Sequence, residues 1–245
     1  MSPRILLAVA RRVLIQLRRD HRTAAMLLVL PCVLMTLLWW MFRDVPGGLF
    51  DRFGPGLLAL FPFIVMFLVT SVTTLRERSS GTLERLLAMP MGKLDFLGGY
   101  AVAFGVVAAV QAALAVLLSV GVLGLGTSGP VWLLGVVAVV DAVLGSALGL
   151  LVSAFARTEF QAVQFMPLFV IPQILLCGLF VPRAQMPGVL HGVSDVLPLS
   201  YATDAMQTLG ASSATGSVWR DLAVVAAYAV AALALGAATL RRRTP

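Results

Sequence analysis

The sequence predicts an all-α membrane protein with six transmembrane helices, and its composition, hydropathy and length support that fold class. The chain has 245 residues, of which 60% are hydrophobic and 12% are charged, and its mean hydropathy is +0.97. Soluble proteins contain about 45–50% apolar and about 25% charged residues. Since a spanning helix needs about 20 residues, six spans with short loops occupy nearly the whole chain. A soluble enzyme, a disordered chain and a large soluble domain are therefore excluded.

Residues 1–23 are predicted to form a cytoplasmic amphipathic elbow helix ahead of the first span. Apolar side chains recur at helical spacing, at Ile5, Val9, Val13 and Leu17, and arginines occupy the other faces of the helix. A helix of this kind lies in the membrane interface. Two interpretations stay open: the helix is only an orientation signal, or it contacts a cytoplasmic partner.

Six apolar runs predict the spans of a transmembrane domain that covers residues 24–245. They lie at about 24–42, 54–75, 96–123, 131–155, 163–181 and 222–240.

The basic residues predict the orientation of these spans. Most of the 18 lie in the N-terminal segment, in the loops after spans two and four and in the C-terminal tail. The positive-inside rule therefore places both termini in the cytoplasm, as in a multi-pass protein of the cell membrane. Four tryptophans near the opposite span ends agree with this orientation: Trp39, Trp40, Trp132 and Trp219. The single lysine, Lys93, favours a GC-rich bacterial source.

The second cytoplasmic segment, residues 76–90, carries its own predicted amphipathic helix. Thr82 can cap this helix, Leu83 and Leu86 belong to its apolar side, and Pro90 ends it. A loop that only turned the chain would need no such helix, so the helix indicates a further role for this segment. The alternative is that the helix only rests on lipid headgroups.

Prolines interrupt the region from the fifth predicted span onward. Each of them removes a backbone donor, which disfavours a single straight helix through Pro167, Pro172, Pro182 and Pro187. Broken helices persist at membrane depth only where protein or a water-filled cavity covers them.

These segments resemble the membrane subunits of ABC-2 type exporters, and among them the daunorubicin-resistance-like permeases. The first match consists of Glu77, Gly81-Thr82, Glu84, Leu86-Leu87 and Pro90. The second consists of Phe165-Met166-Pro167-Leu168, Gly178-Leu179-Phe180-Val181-Pro182, Met186-Pro187 and Leu197-Pro198-Leu199-Ser200-Tyr201-Ala202. The resemblance covers essentially the whole chain, and it departs from the family at Ile171-Pro172, where a small polar residue is common.

The resemblance implies one half of a dimeric permease that moves a hydrophobic or amphipathic substrate, such as a drug or a lipid-like molecule, out of the cytoplasm. It implies that the short cytoplasmic helix is a coupling helix, docked on a separate ABC ATPase subunit that binds ATP and Mg²⁺. The implied contact residues are Glu77, Gly81, Thr82, Glu84 and Arg85. Short re-entrant outer helices are implied around Pro167, Gly178, Pro182, Pro187 and Pro198. The implied partners are that ATPase, a second identical or different permease chain, and membrane lipid.

The sequence has no catalytic motif of its own, so the chain is predicted not to be an enzyme and to need no cofactor. Gly92-Lys93 is followed by leucine and lacks the glycine spacing of a phosphate-binding loop. The histidines and cysteines lack metal-ligand spacing. The net charge of +7 is explained by topology and lipid headgroups, so no nucleic-acid partner is predicted.

Asp141 is the only carboxylate deep within a predicted span. Such a charge costs about 2.5–3.5 kcal/mol on insertion scales, so Asp141 should face the bundle or a cavity, or be protonated. It could contact substrate, carry a proton, or form a structural hydrogen bond to a neighbouring helix through a residue such as Gln111. Two other functions therefore stay open: an ion-coupled secondary carrier that uses Asp141, and a non-transporting membrane scaffold.

Residues 145–149 form a Gly-x-x-x-Gly stretch in the same span. This pattern lets two helix backbones approach closely. The partner helix could belong to the same chain or to a second subunit.

Overall fold

The computed structural model describes residues 3–79, 93–156 and 158–239, with the side chains of all of these except residues 78–79 and 93–97. Within these ranges the chain forms nine α-helices, a 3-10 helix at Arg183–Gln185 and no strand. The α-helices are α1 (Pro3–Arg19), α2 (His21–Phe42), α3 (Leu49–Ser79), α4 (Lys93–Gly121), α5 (Val131–Ser153), α6 (Glu159–Leu176), α7 (Gly188–Val196), α8 (Pro198–Ala211) and α9 (Gly216–Thr239). The predicted all-α fold class is confirmed.

Six of the described helices are long and apolar enough to cross a membrane, namely α2, α3, α4, α5, α6 and α9. This confirms the six predicted spans of a multi-pass membrane protein. The amphipathic α1 precedes them, with Val9, Ala10 and Val13 buried against the bundle. Its position in a membrane interface stays a prediction.

The bounds of α6 differ at both ends from the sequence-based expectation of 163–181. The helix begins at Glu159 because the Thr158 side chain caps it and accepts a 3.1 Å hydrogen bond from the Gln161 amide. It ends at Leu176, before Gly178, which has a φ of +89°. Left-handed backbone of this kind favours glycine and stops a helix.

The chain forms no single straight helix through the four prolines, as the sequence predicts, but the first two of them do not end the helix. Pro167 and Pro172 lie inside α6, because each removes only one hydrogen bond and the helix continues on both sides. The chain leaves the helix after Leu176, and Pro182 and Pro187 lie between the short elements that follow.

Helix α5 lies at the centre of the bundle and packs against α3, α4 and α9. Two of its three glycines, Gly145 and Gly149, allow the closest approach. A Cβ added at Gly145 would lie 2.4 Å from the Phe63 carbonyl oxygen of α3, and one added at Gly149 would lie 2.5 Å from that of Phe67. The Gly-x-x-x-Gly stretch therefore packs within the chain, which decides between the two predicted partners.

The bundle has two chemically distinct ends. The arginine-rich end contains α1, the last turn of α3 and the first turn of α6. The tryptophan end contains the opposite termini of the spans, where the rings of Trp132 and Trp219 lie 6.2 Å apart. Aromatic side chains of this kind are enriched at membrane interfaces.

Candidate functional site

The last turn of α3 is tied to α6 by a two-pronged ion pair. Arg76 donates from Nε to Oε1 of Glu159 at 2.9 Å and from Nη2 to Oε2 at 3.0 Å. Glu159 lies beside Arg76 because Thr158 caps α6, which makes Glu159 the first residue of the helix. Both side chains are about half exposed, so the pair fixes geometry more than it adds stability.

The next residue of α3, Glu77, is tied to a different helix, α1. Arg12 of α1 lies 3.4 Å from the Glu77 carboxylate, which retains 12% side-chain exposure. Helix α1 is held in place by Val9, which packs directly on Gly99 of α4. A Cβ added at Gly99 would lie 2.6 Å from Val9.

Asp20 sets the turn from α1 into α2. Its carboxylate accepts hydrogen bonds from the Thr23 hydroxyl at 2.6 Å and from the Thr23 amide at 3.1 Å. These hydrogen bonds lower the pKa of Asp20 below its usual value. A cleft of about 300 Å³ lies beside this turn, lined by Gln16 and Phe104 among others. The cap fixes where α1 ends and the first span begins.

Two consecutive residues thus connect α3 to two different helices, α1 and α6. Arg76 and Glu77 lie in the last turns of α3, shortly before residues 80–92. Of the predicted contact residues, Glu77 lies in this junction. The others, Gly81, Thr82, Glu84 and Arg85, lie outside the described residues, and their helix stays a prediction.

Sequence reasoning missed the partners in this junction, Arg12, Arg76 and Glu159. The two pairs join residues 65 and 83 positions apart, a separation that no local pattern reports. Opposite charges at the predicted cytoplasmic ends of different spans were the one available signal.

At the tryptophan end, Arg183 connects three short elements. Its guanidinium donates to the carboxylates of both Asp195 in α7 and Asp204 in α8. It also lies 5.3 Å from the ring centre of Tyr201, whose hydroxyl donates to the Asp195 carbonyl at 2.7 Å. Burial raises the pKa of Asp204, while the Arg183 hydrogen bond opposes this shift.

The predicted outer residues border this cluster. A Cβ added at Gly178 would lie 3.1 Å from Cγ of Arg183. Pro182 precedes the 3-10 helix, Pro187 precedes α7, and Pro198 is the buried first residue of α8. Pro167 lies apart from them, inside α6. Two short helices therefore follow the fifth span, and their re-entrance into a membrane stays a prediction.

Further hydrogen bonds hold these short helices against the end of α6. The Ser194 hydroxyl donates to the Leu176 carbonyl at 2.7 Å. The Leu199 amide donates to Oε1 of Gln173 at 3.4 Å. The outer segment is thus anchored at both α7 and α8.

Asp141 and Gln111 lie in the core of the bundle, on α5 and α4, and both are fully buried. The predicted hydrogen bond between them is absent from the described residues. Neither carboxylate oxygen of Asp141 and neither amide atom of Gln111 has a hydrogen-bond partner there.

Comparison with known proteins places this arrangement in context. A model of a family described as "ABC-2 type transporter" matches residues 4–209. The chain is 29% identical over 186 residues to the "Probable multidrug ABC transporter permease YbhR" of Escherichia coli (strain K12). The aligned region covers 74% of this chain and 50% of that protein.

Two further relatives come from distant organisms. The "Linearmycin resistance permease protein LnrN" of Bacillus subtilis (strain 168) is 25% identical, over 73% of this chain and 48% of its own length. The "ABC transporter G family member 20" of Dictyostelium discoideum is 25% identical, over 74% of this chain and 25% of its own length. The chain spans about half the length of the bacterial relatives it matches.

Proposed function

Because the chain belongs to the ABC-2 type transporter family, we propose that it is the permease subunit of an ATP-binding cassette exporter. Its substrate is a hydrophobic or amphipathic molecule, either a drug or a lipid-like compound, that leaves the cytoplasm. The names of the bacterial relatives, a probable multidrug permease and a linearmycin resistance permease, support this substrate class. The bundle sits in the cell membrane of a bacterium, with both termini in the cytoplasm.

The observation that carries this proposal is the double connection at the end of α3. Arg12–Glu77 and Arg76–Glu159 join α3 to α1 and α6 directly before residues 80–92. A cytoplasmic ABC ATPase subunit docks on that segment through Gly81, Thr82, Glu84 and Arg85, with Glu77 at its base. ATP and Mg²⁺ bind to the ATPase, and its closure moves α3 together with α1 and α6.

The exposed face of α6 supports a second permease chain as the other partner. Pro167 and Pro172 have no N–H, so the carbonyls of Val163 and Leu168 lose their intrahelical donors, and both residues are exposed. Unpaired carbonyls are costly in lipid. This face therefore meets a second identical or different chain, or lines a hydrated path between two chains, while membrane lipid covers the more apolar faces.

Reconstitution tests the proposal. We expect the chain to co-purify with the ATPase encoded beside it and to move a fluorescent hydrophobic dye across vesicles only with ATP. Glu84→Lys reverses the charge of the docking segment and should reduce both complex formation and transport at least about tenfold, a loss of about 1.4 kcal/mol. Asp44→Lys is the matched control, since Asp44 is exposed at the tryptophan end.

Two results would contradict the proposal. One is the absence of any co-purifying ATPase. The other is a Glu84→Lys variant that binds the ATPase and transports as well as Asp44→Lys does. Transport that needs an ion gradient but no ATP would instead support an ion-coupled carrier.

A further inference from the structure

The strongest unassigned feature of the molecule is a cavity at the tryptophan end, between the start of α3, the segment after α6 and the end of α8. Its volume is about 440 Å³, which lies within the range of about 300–1,000 Å³ that small-molecule sites occupy. Asp51, Arg52 and Pro55 line it from α3, Phe180 lines it from the segment after α6, and Gln207 lines it from α8. The cavity lies at the opposite end of the bundle from the proposed ATPase contact.

The cavity contains a carboxylate and a guanidinium that do not pair with each other. Neighbouring residues of these types do pair at the same end of the bundle, where Nε of Arg43 lies 3.1 Å from Oδ2 of Asp44. Among the described residues, no ion pair joins Asp51 to Arg52, or either of them to a third residue. Two opposite charges therefore line one cavity and remain available to a ligand.

Asp51 offers two acceptors to such a ligand. Oδ1 of its carboxylate accepts a 2.8 Å hydrogen bond from the Gly126 amide, which holds the side chain in place and leaves Oδ2 available. Pro55 has no N–H, so the main-chain carbonyl of Asp51 also loses its helical donor. A primary ammonium carries three N–H donors and a positive charge, and it matches both acceptors.

Arg52 is the cation of this cavity. Its guanidinium lies 5.5 Å from the ring centre of Phe53, a contact that leaves its N–H groups free to donate. Arg183 lies behind the cavity wall at Gly178, but its guanidinium already donates to two aspartates. Arg52 is therefore suited to bind an anion from outside the chain, and guanidinium groups bind phosphate with two parallel hydrogen bonds.

The surroundings of the cavity place it at the level of lipid headgroups. The Gly129 amide, just before α5, donates to the Leu209 carbonyl of α8 at 2.8 Å, so the cavity lies at the end of the bundle that carries the aromatic side chains typical of a membrane interface. On its rim, Phe180 is 58% exposed, and the next residue, Val181, is 46% exposed. A molecule with a charged end and an apolar body fits this arrangement.

We propose that this cavity binds the headgroup of a zwitterionic phospholipid that carries a primary ammonium, namely a phosphatidylethanolamine. The phosphate pairs with the Arg52 guanidinium, and the ammonium donates to the carboxylate and the main-chain carbonyl of Asp51. Gln207 adds an amide donor beside the phosphate, and the acyl chains lie over Phe180. This inference depends neither on the ATPase partner nor on the transported substrate.

The arrangement discriminates between headgroups. Phosphatidylglycerol has the phosphate but no ammonium, so it leaves both acceptors of Asp51 unused. Phosphatidylcholine has a positive charge but no N–H, so it cannot donate to them. A buried or half-buried acceptor that loses its donor weakens binding.

Native mass spectrometry of the delipidated full chain tests the site with these three lipids, all with the same acyl chains. Phosphatidylethanolamine should bind at least about tenfold more tightly than the other two. Asp51→Asn can still accept from the Gly126 amide, but it should reduce the affinity for phosphatidylethanolamine to that for phosphatidylglycerol and leave the latter unchanged. Arg52→Gln should weaken the binding of all three lipids.

Arg43→Gln and Asp44→Asn are the matched controls, because they remove the same charges at the same end of the bundle, and both should bind lipid as the wild type does. Equal binding of the three lipids, or equal losses in the control variants, would overturn the proposal. Displacement of the lipid by an equal concentration of free phosphoethanolamine would do so too, because the ligand would then be a soluble zwitterion. If Arg52→Gln does not fold, Asp51→Asn decides alone: an unchanged preference for phosphatidylethanolamine overturns the site.

Discussion

Arg183 is the residue on which the outer segment most depends. It is the shared donor for Asp195 and Asp204, and its side chain is only 15% exposed. Removing one member of such a group leaves the remaining carboxylates without their compensating charge. The loss of stability should come mainly from Asp204, because burial already disfavours its ionised form.

Arg183→Leu is therefore expected to lower the free energy of unfolding by about 1–3 kcal/mol. The pKa of Asp204 is raised in the folded chain, so the native state binds more protons than the unfolded state as this group titrates. The stability of the folded chain then falls as pH rises through that range. Because Arg183→Leu removes the charge that offsets ionised Asp204, the destabilisation by this variant should be larger near about pH 7.5 than near about pH 5. Thermal unfolding at both pH values measures it.

Arg43→Leu provides the control for Arg183→Leu. Arg43 also pairs with an aspartate, but its partner Asp44 is 81% exposed. An exposed pair contributes about 0–1 kcal/mol. Equal destabilisation by the two variants would contradict the role given to Arg183.

The Arg76–Glu159 pair is predicted to matter for the transmission of motion more than for stability. Both side chains are about half exposed, so Arg76→Glu should change unfolding by no more than about 1 kcal/mol. If the pair carries motion from α3 to α6, the same variant should still bind the ATPase but lose most ATP-driven transport. The swapped double variant, Arg76→Glu with Glu159→Arg, should recover transport in the vesicle assay. Failure of the swap to recover any transport would contradict this role.

At the scale of elements, the contact between α3 and α5 is the tightest helix pair of the bundle. It depends on the backbone carbonyls of Phe63 and Phe67, which cannot move aside as a flexible side chain would. Any side chain at Gly145 must therefore push the helices apart. The central position of α5 means that such a shift also disturbs its packing against α4 and α9.

Gly145→Ala is expected to destabilise the bundle by about 1–3 kcal/mol through overpacking. Gly135→Ala is a control on the same helix, since a Cβ added there meets nothing within 4 Å. Alanine also favours helix over glycine by about 1 kcal/mol, so Gly135→Ala should be neutral or stabilising. Thermal unfolding in detergent compares the two, and an equal response would show that helix propensity and not packing decides.

The elements show how far local sequence reasoning reaches. Spans such as α5, predicted at 131–155 and observed at Val131–Ser153, are found because a long apolar run is itself the physical signal. The limits of α6 were missed because the Thr158 cap and the backbone of Gly178 act on single residues. The break predicted from the prolines falls after Leu176, at Gly178, whereas Pro167 and Pro172 stay inside the helix.

At the scale of the whole molecule, the unpredicted part of the site is the set of contacts between distant segments. Glu77 was singled out from its motif, but its partner Arg12 lies 65 residues away. The sequence lists the charges at one end of the bundle without saying which ones meet. Only the folded arrangement of α1, α3 and α6 determines those pairs.

The same arrangement makes the orientation of the bundle testable as a unit. With Cys32 and Cys177 replaced by alanine, a single cysteine can be placed at either end, at His21 beside α1 or at Ser213 before α9. Both positions are exposed, and they lie at the arginine-rich end and the tryptophan end. Because basic residues are retained on the cytoplasmic side, a membrane-impermeant maleimide should label Ser213→Cys in intact cells and His21→Cys only after lysis. The reverse pattern would place both termini outside and would turn the proposed ATPase-docking segment away from the cytoplasm, which is where ATP is available.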